Sequence, residues 1–403
     1  MRRYSSLILR VCCCLFVLIS AGSAFAATVA VGTCQPGKVS FDSLDDAVNG
    51  VPDGSTILLC PGIYQEQIVI NRSLTMKAIS NGNTSLVAIV PPPGGLVGNQ
   101  TSFFEPLSFF GGGTPLAAQV TINNGATVTL NGITIDAQGP ITTNCFPMVV
   151  GVYIQDASAT LTNMVVKNQI QTGPGPFPCF FLGGDGLGVF SQNDGNAGLT
   201  TVNITNSSFS NSAQSYESDG GNNTSTLTGN SLFSSSLADG NAITIFNGTA
   251  TVKNNTISDW TFHGGDAATN FNDAAYGILM ECQQGSTIAN NTITNSQGGI
   301  VITFPTCPTS GVYISGNTIT DASFIGIYLG EINASVSGNT INNSQTAIRL
   351  PAASDGNTIF SNRINGTCAA FGSSPAALNN SIGTNTISSA LNIAITNTTN
   401  RCP

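Results

Sequence analysis

Residues 315–341 read SGNTITDASFIGIYLGEINASVSGNTI, with the tetrad GNTI written twice, 22 residues apart. Between the copies apolar residues alternate with polar ones over three to five positions, and Gly, Asn or Ser then intervenes. That is the period of short strands joined by turns, not the period of a helix. Aligning the whole chain on the tetrad gives a column of Asn or Ser two residues before an apolar residue: Asn131, Asn163, Ser207, Asn230, Asn255, Asn291, Asn317, Asn339, Asn362 and Asn385. The steps never fall below 22 residues and are lengthened at intervals, as in a solenoid whose coils accept loop insertions. A second column recurs between the copies, seen in GVYI at 151, GILM at 277, GIVI at 299 and GIYL at 326.

Three short strands per coil cannot fold alone. Stacked coils can, because each strand pairs in parallel with its equivalent above and below, at a spacing of about 4.8 Å. The repeated Asn suits both the turn between strands and amide-to-amide hydrogen bonding along the stack. The expected fold is all-β: a single-domain right-handed parallel β-helix of about twelve coils.

The first 26 residues stand apart. Basic residues (Arg2, Arg3, Arg10), a short apolar run and a small-residue site ending at Ala26 read as an export signal, leaving 27–403 as the β-helix. That run is too short for a membrane helix, and no later segment is long enough. Removing the leader leaves eight Lys and Arg against 20 Asp and Glu, a formal charge of −12. Nucleic acid is excluded as a partner, since phosphate neutralisation needs clustered basic residues. Eight cysteines remain, and an oxidising compartment favours disulfides between neighbours along the chain: Cys34 with Cys60, Cys145 with Cys179, Cys282 with Cys307, and Cys368 with Cys402. The expected location is therefore extracellular, periplasmic or at the cell surface.

The stretch FDSLDDAVNGVPDGSTILLCPGIYQEQIVINRSLTMKA (41–78) resembles the opening of right-handed parallel β-helix proteins of the pectin lyase-like superfamily. The resemblance implies a short amphipathic helix, in SLDDAVNGV, that caps the core before the first coils. It also implies an extracellular polysaccharide as partner. It does not carry over a reaction. Pectin methylesterase and polygalacturonase motifs are missing, and Arg349-Leu350-Pro351 begins a pectate lyase stretch in which Ser354 replaces the second Arg.

Chemistry is expected where insertions follow the Asn-x-Ile strand, at 168–185 and 258–276. The second holds the chain's one Trp and one His. His263 with Asp266 or Asp273 would form an acid/base pair, and Trp260 a stacking platform for a sugar. The competing reading has Trp260 anchoring the loop to the coil wall. Residues between the inward positions of the second column face outward. Tyr328 and Arg349, with Glu281 nearby, would then line a groove for an acidic polysaccharide, with Tyr276 at its edge and Asp185 from the first insertion as a wall. One His without paired Cys ligands does not make a zinc site. No cofactor is expected, although calcium could sit on loop Asp and carbonyl oxygens. A structural or adhesive surface protein is the alternative function.

Overall fold

The computed structural model describes residues 25–79, 86–103, 113–139, 141–142, 146–172, 186–195, 198–234, 240–261, 275–282, 285–303, 311–330, 333–352, 354–388 and 390–395. Each full coil supplies three strands. The first strands stack into a fourteen-stranded sheet, while the second and third run together in a sheet of 23 strands. Coil-to-coil pairing is parallel and keeps register along the stack. Ile135, Val166, Phe209, Leu232, Ile257, Ile293, Ile319, Ile341, Ile364 and Ile387 form one unbroken inward row. This is the right-handed parallel β-helix expected from the repeat. Among the described residues, no helix is long and apolar enough to cross a membrane.

The tetrad divides its labour more finely than its pattern suggests. The residue before the Asn makes the left-handed bend: φ is 56° at Asn254 and Asn290, 66° at Gly316 and 65° at Gly338. The bend turns the following Asn into the core, where it is buried. There Asn291 Nδ2 donates to Asn317 Oδ1 at 2.9 Å, and Asn317 Nδ2 to Asn339 Oδ1 at 2.9 Å. Each acceptor oxygen also receives the backbone N–H of the Asn one coil back. The ladder runs from Asn230 to Asn385 and satisfies its amides without water. Asn131 and Asn163 are not in it, because Ile133 and Met164 hold the inward position in their coils. The first coils therefore close on apolar side chains and the later ones on amides.

The Gly of GIYL has a different cause. A Cβ at Gly326 would lie 2.6 Å from the Ala347 carbonyl oxygen and 2.7 Å from Ile341 Cγ2. The corner before the third strand therefore admits only small residues.

At the amino end, the helix Leu44–Gly50 buries Leu44, Ala47 and Val48 against the first coils. Ser43 Oγ accepts the Asp46 N–H at 3.1 Å, and the Glu66 carboxylate accepts those of Leu44 and Asp45 at 3.0 and 2.9 Å. Tyr64 donates its hydroxyl hydrogen bond to the Cys60 carbonyl at 2.6 Å. Tyr64 and Glu66, which carry much of the resemblance, thus serve the cap. Cys34 is bonded to Cys60. Cys282 and Cys368 are also in disulfides. Their expected partners, Cys307 and Cys402, and the pair Cys145 and Cys179 lie outside the described residues.

Candidate functional site

The third strands turn one side of their residues into the core and the other away from it. The outward side forms two columns along the stack. One runs Tyr153, Phe190, Glu217, Thr244, Leu279, Val301, Tyr328, Arg349. The other runs Gln155, Gln192, Asp219, Phe246, Glu281, Thr303.

This face is not a bare wall. Tyr276, Leu279 and Val301 form a small apolar cluster on it, with Tyr328 packed at the margin. Tyr276 is thus buried where a rim residue was expected. Glu281, Tyr328 and Arg349 do share the face and stay partly open to solvent. Burial pushes the Glu281 carboxyl up to about 7. It pushes the Tyr328 phenol up as well, with the Arg349 charge acting the other way.

Of the two expectations for Trp260, burial favours the anchor and corrects the stacking platform. Asp259 takes the left-handed bend, φ 65°, and throws the next residue inward. The same corner turns in Gln169, Ser212, Ser296, Ala322 and Ser344 in other coils, all buried. Trp260 is 0% exposed and belongs to the main core, so its ring offers no face to a sugar. It anchors the stem of its insertion. His263, Asp266, Asp273 and Asp185 lie outside the described residues.

A second group of polar side chains sits farther back on the face. Glu217 and Asp219 are both 0% exposed, on the strand Gln214–Asp219. Gln214 Nε2 donates to Glu217 Oε2 at 3.1 Å, and Thr244 Oγ1 donates to Gln214 Oε1 at 2.6 Å. Gln192 Nε2 donates to Asp219 Oδ2 at 3.2 Å, and the Tyr153 hydroxyl donates to Gln192 Oε1 at 3.1 Å. The Gln192 amide also bonds the Phe103 backbone N–H and carbonyl, which holds that segment across the face. Glu217 Oε1 has no hydrogen-bond partner among the described residues. Burial, then the Asp219 charge, raise the Glu217 carboxyl well above its ordinary range, against the Gln214 hydrogen bond.

Sequence reasoning missed this group because QSYESD lacks the Gly-and-apolar look of the second column. A signal was present. Nine residues on from the ladder position Ser207 lies Tyr216, as Ile348 lies nine on from Asn339. Register alone puts Glu217 and Asp219 on the outward side.

The fold has many relatives. The Dettilon tailspike protein superposes with a TM-score of 0.52 at 16% identity over 85% of this chain, which spans 63% of the tailspike's length. The GH136 lacto-N-biosidase of Eubacterium ramulus gives 0.60 at 11% identity, over 92% of this chain and 68% of that one. PfbA, a surface adhesin of Streptococcus pneumoniae, gives 0.54 at 14% identity, over 87% and 86%. The chain is a right-handed parallel β-helix. At these identities the likeness to other β-helices is one of fold. No curated protein sequence matches this β-helix. The family described as periplasmic copper-binding protein (NosD) matches residues 260–401, little over a third of it.

Copper sites draw on His, Cys and Met donors. In the matched part of the β-helix, Cys282 and Cys368 are tied in disulfides and Met280 is in the core. Among the described residues no three His, Cys, Asp or Glu gather. The one His of the matched part, His263, lies outside the described residues.

Proposed function

We propose that this β-helix is exported and binds or processes an extracellular polysaccharide along the outward face of its third strands. The observation that carries the reading is the Glu281 carboxyl. It sits on that face with its proton affinity raised by burial to about 7, on the sheet that presents Tyr328 and Arg349. A carboxyl still protonated near neutral pH can give a proton to a leaving glycosidic oxygen or hold a sugar hydroxyl. Arg349 would receive an acidic group of the same chain. The sequence between Thr261 and Ala275 carries His263, Asp266 and Asp273. In the proposal these three supply the remaining acid/base groups, and Asp185 the far wall.

Tailspike, lacto-N-biosidase and adhesin neighbours support a surface-facing, glycan-related role without specifying it. A structural or adhesive role is the second reading. It is favoured by the complete burial of Glu217 and Asp219, which closes part of the face, and by the large share of the adhesin that the chain spans. Screening the purified protein against acidic and neutral polysaccharides, read both for binding and for new reducing or unsaturated ends, separates the two. Silence in both readouts favours the structural role.

A further inference from the structure

A groove of about 1010 Å³ runs along a different side of the molecule, outside the bend between the first and second strands. It runs from Leu58 past Lys77 and Asn131 to Gly229 and Ser231, along five coil steps of register from Leu58 to Thr228, or about 24 Å. The left-handed residues Gly132, Asn163, Asn206 and Gly229 form the elbow of this bend in successive coils, and all four line the groove. The amides of Asn163 and Asn206 are exposed there, as are Ser231 and Lys77. Gln35 lines one end and is fixed by the neighbouring Cys34–Cys60 disulfide.

The chemistry of the wall is specific. Among the described lining residues Lys77 carries the one charge, and neither carboxylate nor aromatic ring is present. Stacked amides and hydroxyls offer donors and acceptors to ring hydroxyls. A lone ammonium on an otherwise uncharged wall favours an anionic group. Without aromatic rings, the wall has no stacking platform for a neutral sugar.

We infer that this groove binds an extended oligosaccharide bearing carboxylate or sulfate groups, as a second site remote from the third-strand face. It extends the glycan reading above, on which it rests for the ligand class, and it uses none of the residues on which that reading depends.

The test uses the mature chain carrying Glu281→Gln and Arg349→Ala, which removes the other proposed site. Titration calorimetry is run with tetragalacturonate, a sulfated heparin tetrasaccharide and neutral maltotetraose. Saturable binding of either anionic probe is expected, and which one binds identifies the anionic group. Lys77→Glu should weaken it by about tenfold or more. Asn163→Gly with Asn206→Gly keeps the left-handed bends, removes the amides and should weaken binding with the melting temperature retained. Equal binding of maltotetraose, no saturable binding of either anionic probe, or binding indifferent to Lys77→Glu would overturn the inference. If the groove binds its probe but the third-strand variants change nothing in the polysaccharide screen, this inference stands and the earlier reading falls.

Discussion

Tyr328 and Arg349 are register partners on adjacent coils, and both point away from the core on the sheet that carries Glu281. The pairing sets a phenol beside a guanidinium at the spacing of one coil, about 4.8 Å. Neither residue is required by the inward packing, which Ile327, Leu329, Ile348 and Leu350 supply. What the pair does must therefore be sought on the solvent side.

Arg349→Ala should weaken binding or turnover of an acidic glycan by about tenfold, the scale of one charge-assisted contact. The melting temperature should barely move, since the side chain is only half-buried. His263→Ala should behave in the same way. Binding titrations paired with thermal melts check both.

Glu281 links stability to pH with a definite sign. Its carboxyl rises from 4.5 to about 7 in the folded chain. Between those values the native state keeps a proton that the unfolded chain releases, so stability falls as pH rises through the window and levels off above it. The shift corresponds to about 3 kcal/mol. Glu281→Gln should flatten that part of the stability–pH curve, measured by urea denaturation at pH 5 and pH 8. If Glu281 is a proton donor in catalysis, turnover should also fall above pH 7.

Glu217→Gln should raise the melting temperature at neutral pH. The amide retains an oxygen for the Gln214 donor and replaces an ionisable group that burial and Asp219 both penalise. A gain of about 1–2 kcal/mol, growing from pH 5 to pH 8, is expected. A loss would mean that the ionised carboxylate is wanted there.

Asn317→Ala tests the ladder. It strands the Asn291 backbone N–H and one of its amide hydrogens, which both donate to Asn317 Oδ1, and takes one donor each from the Asn339 oxygen, which keeps the residue 317 N–H, and from the Ile288 carbonyl. Several orphaned buried groups should cost about 3 kcal/mol or more. The same change at the exposed Thr340 neighbour Arg363 should cost little, because that side chain lies outside the core.

Much of this fold was legible because its causes are local and repeated. A two-residue alternation, a corner Gly and an inward Asn recur in coil after coil, so each copy confirms the others. Asn163 misled because the bend residue and the ladder residue are adjacent and share the same favoured amino acid, and Asn131 because it stands one place before its bend residue, Gly132. The site was harder to read. Glu281, Tyr328 and Arg349 followed from alternation alone, but whether an outward residue is open depends on what lies over it. Tyr276 and the Glu217–Asp219 pair are covered, and strand period does not report covering. Trp260 could be read either as a platform or as an anchor because a single left-handed residue, Asp259, reverses the side to which the next one points.

The decisive measurement compares the Lys77→Glu protein, whose second groove is disabled, with the same protein carrying Glu281→Gln and Arg349→Ala, on immobilised acidic polysaccharides. Binding and released chain ends are read together at matched melting temperature. The third-strand face should give the Lys77→Glu protein a signal that drops by about tenfold or more in the folded triple variant. Silence of the Lys77→Glu protein on every acidic glycan, or a signal unchanged in the triple variant, would overturn the third-strand site.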